Sequence, residues 1–175
     1  QRRTEQRLEE LAAAQQRTEE TVRRLVNQMA EVRGEILEIK IRDKAHAYFG
    51  RWLRRVQVIP FIELEERLES QLTDDQIIDL SLTDILVRGR PRLAPADGEV
   101  WLAVEVSAVV DAKDVERAER RAALLRSAGL RAVPVAIGGR IIPQAQALAR
   151  MRNVALMRDG SDEGWEQAYQ AATQS

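Results

Sequence analysis

The sequence predicts an α/β protein in two parts, a long coiled-coil helix over residues 1–42 and one domain over residues 43–175 built on a mixed β-sheet. Three observations predict it. A heptad repeat runs unbroken through the first forty residues. Beyond it, short apolar β-rich runs alternate with segments of helical period. The two clearest strands are joined by a Pro/Asp/Gly-containing connection, which makes them a hairpin, and the strands that follow are separated by helices, which makes them parallel additions.

In the first part, Leu8, Gln15, Val22, Met29 and Ile36 hold position a, and Leu11, Thr18, Leu25, Val32 and Ile39 hold position d. Five heptads with two polar lapses and charge on most other positions meet the criterion for a coiled coil. A narrow apolar seam on so long a helix has to be covered, and the commonest cover is a copy of itself, so a homo-oligomer, dimer or tetramer, is expected. Gln15 and Thr18 lower stability but can set register and strand number. Gly34 costs about 1 kcal/mol of helix propensity.

From Arg42 to Leu53 an amphipathic pattern continues the helix or starts another, and Val56–Ile59 reads as a short strand. Pro60 opens a helix with Phe61, Leu64, Leu68 and Leu72 on one face. Thr73 and Gln76 form a capping box for a further helix ending near Leu80. Strands are expected over Asp84–Arg88 and Val100–Val106. Asp111 and Asp114 offer N-caps for a helix to about Ser127, closed by Gly129. Arg131–Ile137 is a strand in which Pro134 argues for an edge or a bulge, and Gly138-Gly139 turns the chain. A helix over Pro143–Met151, a strand over Asn153–Met157, a turn at Asp159-Gly160 and a terminal helix with Trp165 and Tyr169 complete the domain.

Composition narrows the function. With 27 basic and 28 acidic residues the net charge is -1, so no global field draws in nucleic acid or anionic lipid. There is no cysteine, which removes disulfides, thiolate nucleophiles and Cys-held metals, and the single histidine, His46, makes no His-based metal site. No apolar run is long enough to span a membrane and no signal peptide is visible, so the cytoplasm is the expected compartment.

One pair of acids stands out. A hairpin centred between Ala94 and Pro95 sets Asp84 across from Glu105, Leu86 across from Ala103 and Arg88 across from Trp101. Alternation then puts Asp84, Glu105 and Ser107 on a polar face backed by an apolar one. Two facing carboxylates repel unless a divalent cation sits between them, and Mg²⁺ is commonly held by one or two carboxylates with phosphate oxygens and water. Such an ion can generate a nucleophilic hydroxide at a phosphodiester. The bland alternative leaves Asp84 as a turn residue and pairs Glu105 with an arginine such as Arg88. Arg88, Arg90 and Arg92 bracket the hairpin tip, where they could follow a phosphate backbone or serve as a solvated face. The acidic segment Glu63, Glu65, Glu66 and Glu69 could lend a carboxylate or simply keep its helix soluble.

Asp84 on one strand, Glu105-Val106-Ser107 on the next, then a helix and a further strand, resemble the PD-(D/E)XK nuclease superfamily. The stretches Trp101–Ser107, Asp114–Ala118 and Arg121–Arg126 are similar to bacterial nuclease-like proteins with an N-terminal coiled coil. The resemblance covers roughly residues 42–157. It implies a restriction-endonuclease-like αβββαβ core, Asp84 and Glu105 as ligands of Mg²⁺ or Mn²⁺, the Val106 carbonyl as a third, and a signature lysine at position 107. That position is Ser107, which cannot supply the ammonium that orients water and stabilises charge; losing such a group costs on the order of 3–4 kcal/mol in the barrier. Lys113 could reach back from the next helix, and Arg117, Arg120 or Arg121 could clamp a phosphate instead. The resemblance thus points to a metal-dependent DNA phosphodiesterase held in an oligomer by its coil. The alternative is a catalytically inert nuclease fold used for assembly or nucleic-acid binding.

Overall fold

The computed structural model describes residues 1–174. Helix α1 (Arg2–Asp43) is one continuous rod, roughly 63 Å long at 1.5 Å per residue. A single irregular residue separates it from α2 (Ala45–Phe49). Then follow β1 (Leu53–Val58), α3 (Ile62–Glu69), α4 (Asp74–Ser81), β2 (Ile85–Pro91), β3 (Val100–Val110), α5 (Ala112–Ser127), β4 (Ala132–Ile141), α6 (Pro143–Arg152), β5 (Ala155–Arg158), β6 (Ser161–Glu163) and α7 (Trp165–Thr173).

The six strands form one mixed sheet in sequence order. Strands β1, β2 and β3 are antiparallel neighbours, β4 and β5 add in parallel, and β6 folds back on β5. The expected hairpin register is the one observed: Leu86 lies opposite Ala103 and Arg88 opposite Trp101.

Helices cover both faces. On one side Ile41, Phe49, Trp52, Trp165 and Tyr169, from α1, α2, α7 and the loop before β1, bury Val87, Leu102, Val104 and Val135. Trp52 and Trp165 stack with ring centroids 4.6 Å apart. On the other side Leu68, Leu80, Ala122 and Leu125, from α3, α4 and α5, bury Leu86, Trp101 and Ala103. The second face of the hairpin is therefore not the polar one expected. The run Ile85-Leu86-Val87 is buried throughout, as in a strand packed on both sides.

Three local readings are corrected. Pro134 lies in β4, inside the sheet between β3 and β5, not at an edge. Odd-numbered residues of this stretch bond toward β3, beginning with Trp101 N–H to the Arg131 carbonyl at 2.8 Å, so Pro134 faces the β5 side. The ladder there starts one residue later, at Val135–Ala155, so the missing N–H costs no bond. Gly138 and Gly139 continue β4 rather than turning the chain. A Cβ on Gly138 would lie 2.6 Å from Val110 Cγ2, which is the reason for glycine there. Strand β1 begins earlier than read, with a bulge between Arg54 and Gln57 where Arg55 takes a φ of 54°.

α1 carries two apolar stripes. Residues 1–33 are exposed throughout. Gly34, Leu37 and Ile41 then lie along β3, with Ile41 fully buried, and a Cβ on Gly34 would sit 3.6 Å from the Ala108 nitrogen. These three residues occupy heptad positions f, b and f, so the docked stripe is not the a/d seam. The apolar seam residues from Leu8 to Ile39 remain 51–65% exposed along the whole helix. Among the described residues no helix is long and apolar enough to cross a membrane.

Candidate functional site: a carboxyl pair under an arginine

The site forms where the C-terminal third of α1 passes over the end of β3. A shallow cleft of about 380 Å³ opens there, with Glu31, Glu35 and Glu38 on the helix side and Asp84, Val106 and Ser107 on the sheet side. Asp84 is the residue immediately before β2, and the observed ladder continues by one pair to set it beside Glu105. Its Oδ2 accepts the Val106 N–H at 2.8 Å. Its backbone carbonyl accepts a hydrogen bond from Arg42, which also pairs with Glu38 at 2.7 Å, tying α1 to the floor of the cleft.

Glu105 lies beneath, 2% exposed, because α5 packs over this face of the sheet. Its partner is Arg121, itself 4% exposed, whose Nη1 donates to Glu105 Oε1 and, at 3.2 Å, to the Leu82 carbonyl. Arg121 Nη2 reaches Asp79 Oδ1 at 3.5 Å, and Arg120 grips the same carboxylate with two bonds of 2.8 and 2.9 Å. Arg120 holds the Asp79 carboxyl below its usual range. Glu105 moves the other way: burial first and the neighbouring Asp84 second push it up to about 8, against the pull of Arg121. Burial and the Asp84 carboxylate thus favour the protonated form of Glu105, while Arg121 favours the ionised one.

The other expected site residues separate from this pair. Ser107 lines the cleft, but its hydroxyl donates to the Val109 carbonyl at 3.0 Å. Lys113 is exposed in the first turn of α5 and does not line the cleft. Arg117 pairs with Asp114. At the far end of the hairpin, Arg88 donates to Gln57 at 2.7 Å, lies 3.5 Å from Glu99 and covers the Trp101 ring at 5.6 Å. Arg92 donates to the Gly50 carbonyl at 2.5 Å, and Arg90 is exposed. Glu63, Glu65, Glu66 and Glu69 lie on α3, away from the cleft, whose helix acids come from α1 instead.

The donor set does not fit Mg²⁺ or Mn²⁺ as the resemblance arranges it. Glu105 is buried and its Oε1 is already held by the buried Arg121 guanidinium. Among the described residues no group of three or more Asp, Glu or His side chains could hold a metal ion. Arg121 is the residue that sequence reasoning placed in the wrong role. The signal for it was present: with Leu86, Trp101 and Ala103 apolar, the face carrying Glu105 had to be covered by a helix, and α5 brings Arg121 with it.

Comparison with known proteins adds no assignment: no protein-family model, no curated protein and no solved structure matches the chain.

Proposed function

We propose that this chain is a self-assembling module, in which α1 gathers copies of the protein and the domain at its end is a nuclease-like fold acting as a structural or binding head, not as a hydrolase. What carries the non-hydrolytic reading is Arg121. An ion bridging Asp84 and Glu105 would have to face a buried guanidinium already bonded to one of its ligands. The rim adds to this, since Glu31, Glu35 and Glu38 repel a phosphate backbone approaching the cleft. The assembly half is supported by the exposed apolar seam, which the domain leaves largely uncovered, only Met29 of it lining a groove with Val109 and Arg140.

The order helix, three antiparallel strands, helix and parallel strand supports kinship with the restriction-endonuclease-like core, on which functions vary by site. The hydrolytic reading has one observation in its favour, the contact between the Asp84 and Glu105 carboxyls. One experiment separates the two readings. Mn²⁺ is titrated calorimetrically into the full chain, and plasmid DNA is incubated with the protein and Mn²⁺ or Mg²⁺. The assembly reading expects no cleavage and no heat that depends on Asp84 or Glu105. Cleavage abolished by Asp84→Ala and by Glu105→Gln overturns it and makes the protein a metal-dependent phosphodiesterase.

A further inference from the structure

The edge of the sheet at the other end of β2 from the carboxyl cleft carries positive charge that the chain does not balance. We propose that Arg54, Arg55 and Arg90 form a binding site for a row of phosphate groups, the chemistry shared by a polynucleotide backbone and a free polyphosphate chain. The site lies on the domain and does not depend on self-assembly.

The strand register makes the first observation. Arg54 of β1 lies directly opposite Arg90 of β2, so the two side chains stand on one face of the sheet with Cβ atoms about 4.5–5.5 Å apart. Like charges so placed destabilise an antiparallel pair. Both residues and Arg55 are exposed, and among the described residues no carboxylate and no hydrogen bond reaches any of these three guanidinium groups. By contrast Arg51, Arg117, Arg120, Arg121, Arg150 and Arg152 each pair with a carboxylate. Continuing the β2–β3 ladder by one pair sets Glu99 beside Arg90, but the Glu99 carboxylate accepts from the Trp101 indole at 3.1 Å and lies 3.5 Å from Arg88.

The backbone makes the second. Arg55 sits in the bulge of β1 with a φ of 54°, in the left-handed region where glycine or asparagine is at ease and a long side chain is strained. Nothing in the packing of this exposed residue calls for a guanidinium. The bulge is pressed against β2, since a Cβ on Gly89 would lie 2.9 Å from the Arg54 carbonyl oxygen, so the arginines project from a closely packed pair of strands.

The chemistry follows from these placements. An anion between Arg54 and Arg90 turns their repulsion into two attractions. A carboxylate has two coplanar oxygens, which a single guanidinium fork satisfies, whereas a phosphate offers tetrahedrally disposed oxygens to two forks at once. Arg55 beside them extends the site past one anion, to the next phosphate in a row. With a net charge of -1 the chain attracts phosphates only through such a local cluster. The acids of the cleft are remote from it, since Asp84 and Arg90 are six residues apart along extended chain, roughly 20 Å.

The test uses the full chain. Binding of a labelled single-stranded oligonucleotide is followed by fluorescence anisotropy, and binding of tripolyphosphate by calorimetry. Arg54→Gln combined with Arg90→Gln should weaken binding about tenfold or more, as expected for lost charge-assisted hydrogen bonds. The wild-type affinity for the oligonucleotide should fall with salt at a logarithmic slope of about -2, for three phosphates on a single strand. Both substitutions remove repulsion and Arg55→Gly removes strain, so these variants should unfold at or above the wild-type urea midpoint while binding less, which separates lost affinity from lost fold. Arginine-dependent binding of both probes, or of either alone, upholds the site and tells which source of phosphate it accepts. Binding of neither probe, binding unchanged by Arg54→Gln with Arg90→Gln, or displacement of the oligonucleotide by poly-glutamate as readily as by unlabelled oligonucleotide of equal charge overturns it. A monomeric wild type that still binds both probes would sink self-assembly and leave this site standing.

Discussion

Residues 2–33 and 34–43 of α1 belong to one unbroken helix and obey one heptad rule, yet only the second stretch has residues buried or half-buried against the rest of the chain. In the first, the apolar residues form a single stripe and all of it is exposed. In the second, a separate stripe of Gly34, Leu37 and Ile41 faces the sheet while Ile36 and Ile39 still point away. The difference teaches that a helix can serve two partners from two faces. The surface left open is the one the proposed second copy would cover, just as the second stripe is covered by the sheet.

The largest effect that tests this division is expected at Ile41. Ile41→Ala empties a fully buried site in the core shared by α1, α2 and the sheet, and should cost about 2–5 kcal/mol in urea denaturation of the domain. Leu11→Ala, in the exposed stretch, should leave domain stability within about 0.5 kcal/mol and weaken only association. An equal effect of both on the domain would erase the distinction between the two stretches.

Arg121→Met probes the cleft that the docked stretch helps to form. It leaves Glu105 buried without its counter-charge, so stability should fall by about 3 kcal/mol at pH 9, where Glu105 would ionise. The fall should be smaller at pH 6, where Glu105 keeps its proton. Denaturation at the two pH values checks the order.

Glu105 also makes the folded state pH-dependent. The unfolded chain releases this proton near pH 4.5 and the folded chain near pH 8, so the folded state binds more protons in between. Its contribution to stability is complete below pH 4.5, declines as pH rises and is gone above about 8, at no more than about 1.4 kcal/mol per pH unit. Stability of the wild type minus that of Glu105→Gln, measured across this range, should show the decline. A flat difference would place the proton elsewhere.

The smallest effect concerns Gly34. Its Cβ position meets the Ala108 nitrogen at 3.6 Å, an ordinary contact, so Gly34→Ala should raise thermal stability by up to about 1 kcal/mol by restoring helix propensity. A loss would mean that helix and strand approach more closely than this spacing.

Much of this was legible in the sequence for a physical reason: the signals were local. The heptads of α1, the capping boxes at Thr73 and Asp111 and the register that sets Asp84 beside Glu105 depend on residues close in the chain or joined by one short turn. What escaped depends on tertiary cover. The second stripe of α1 is three residues wide and shows only against β3. Pro134 is harmless because β5 starts one residue later. Arg121 meets Glu105 from sixteen residues away because α5 lies over a face that alternation alone made polar.

The most direct measurement is sedimentation equilibrium of the full chain beside Leu25→Glu combined with Val32→Glu, two exposed seam residues. The wild type should sediment as a dimer or tetramer, and the double variant as a monomer whose domain unfolds at the wild-type urea midpoint. A wild-type chain that remains a monomer at every concentration, or a double variant that associates as tightly as the wild type, would contradict the claim that this seam is where copies of the protein meet.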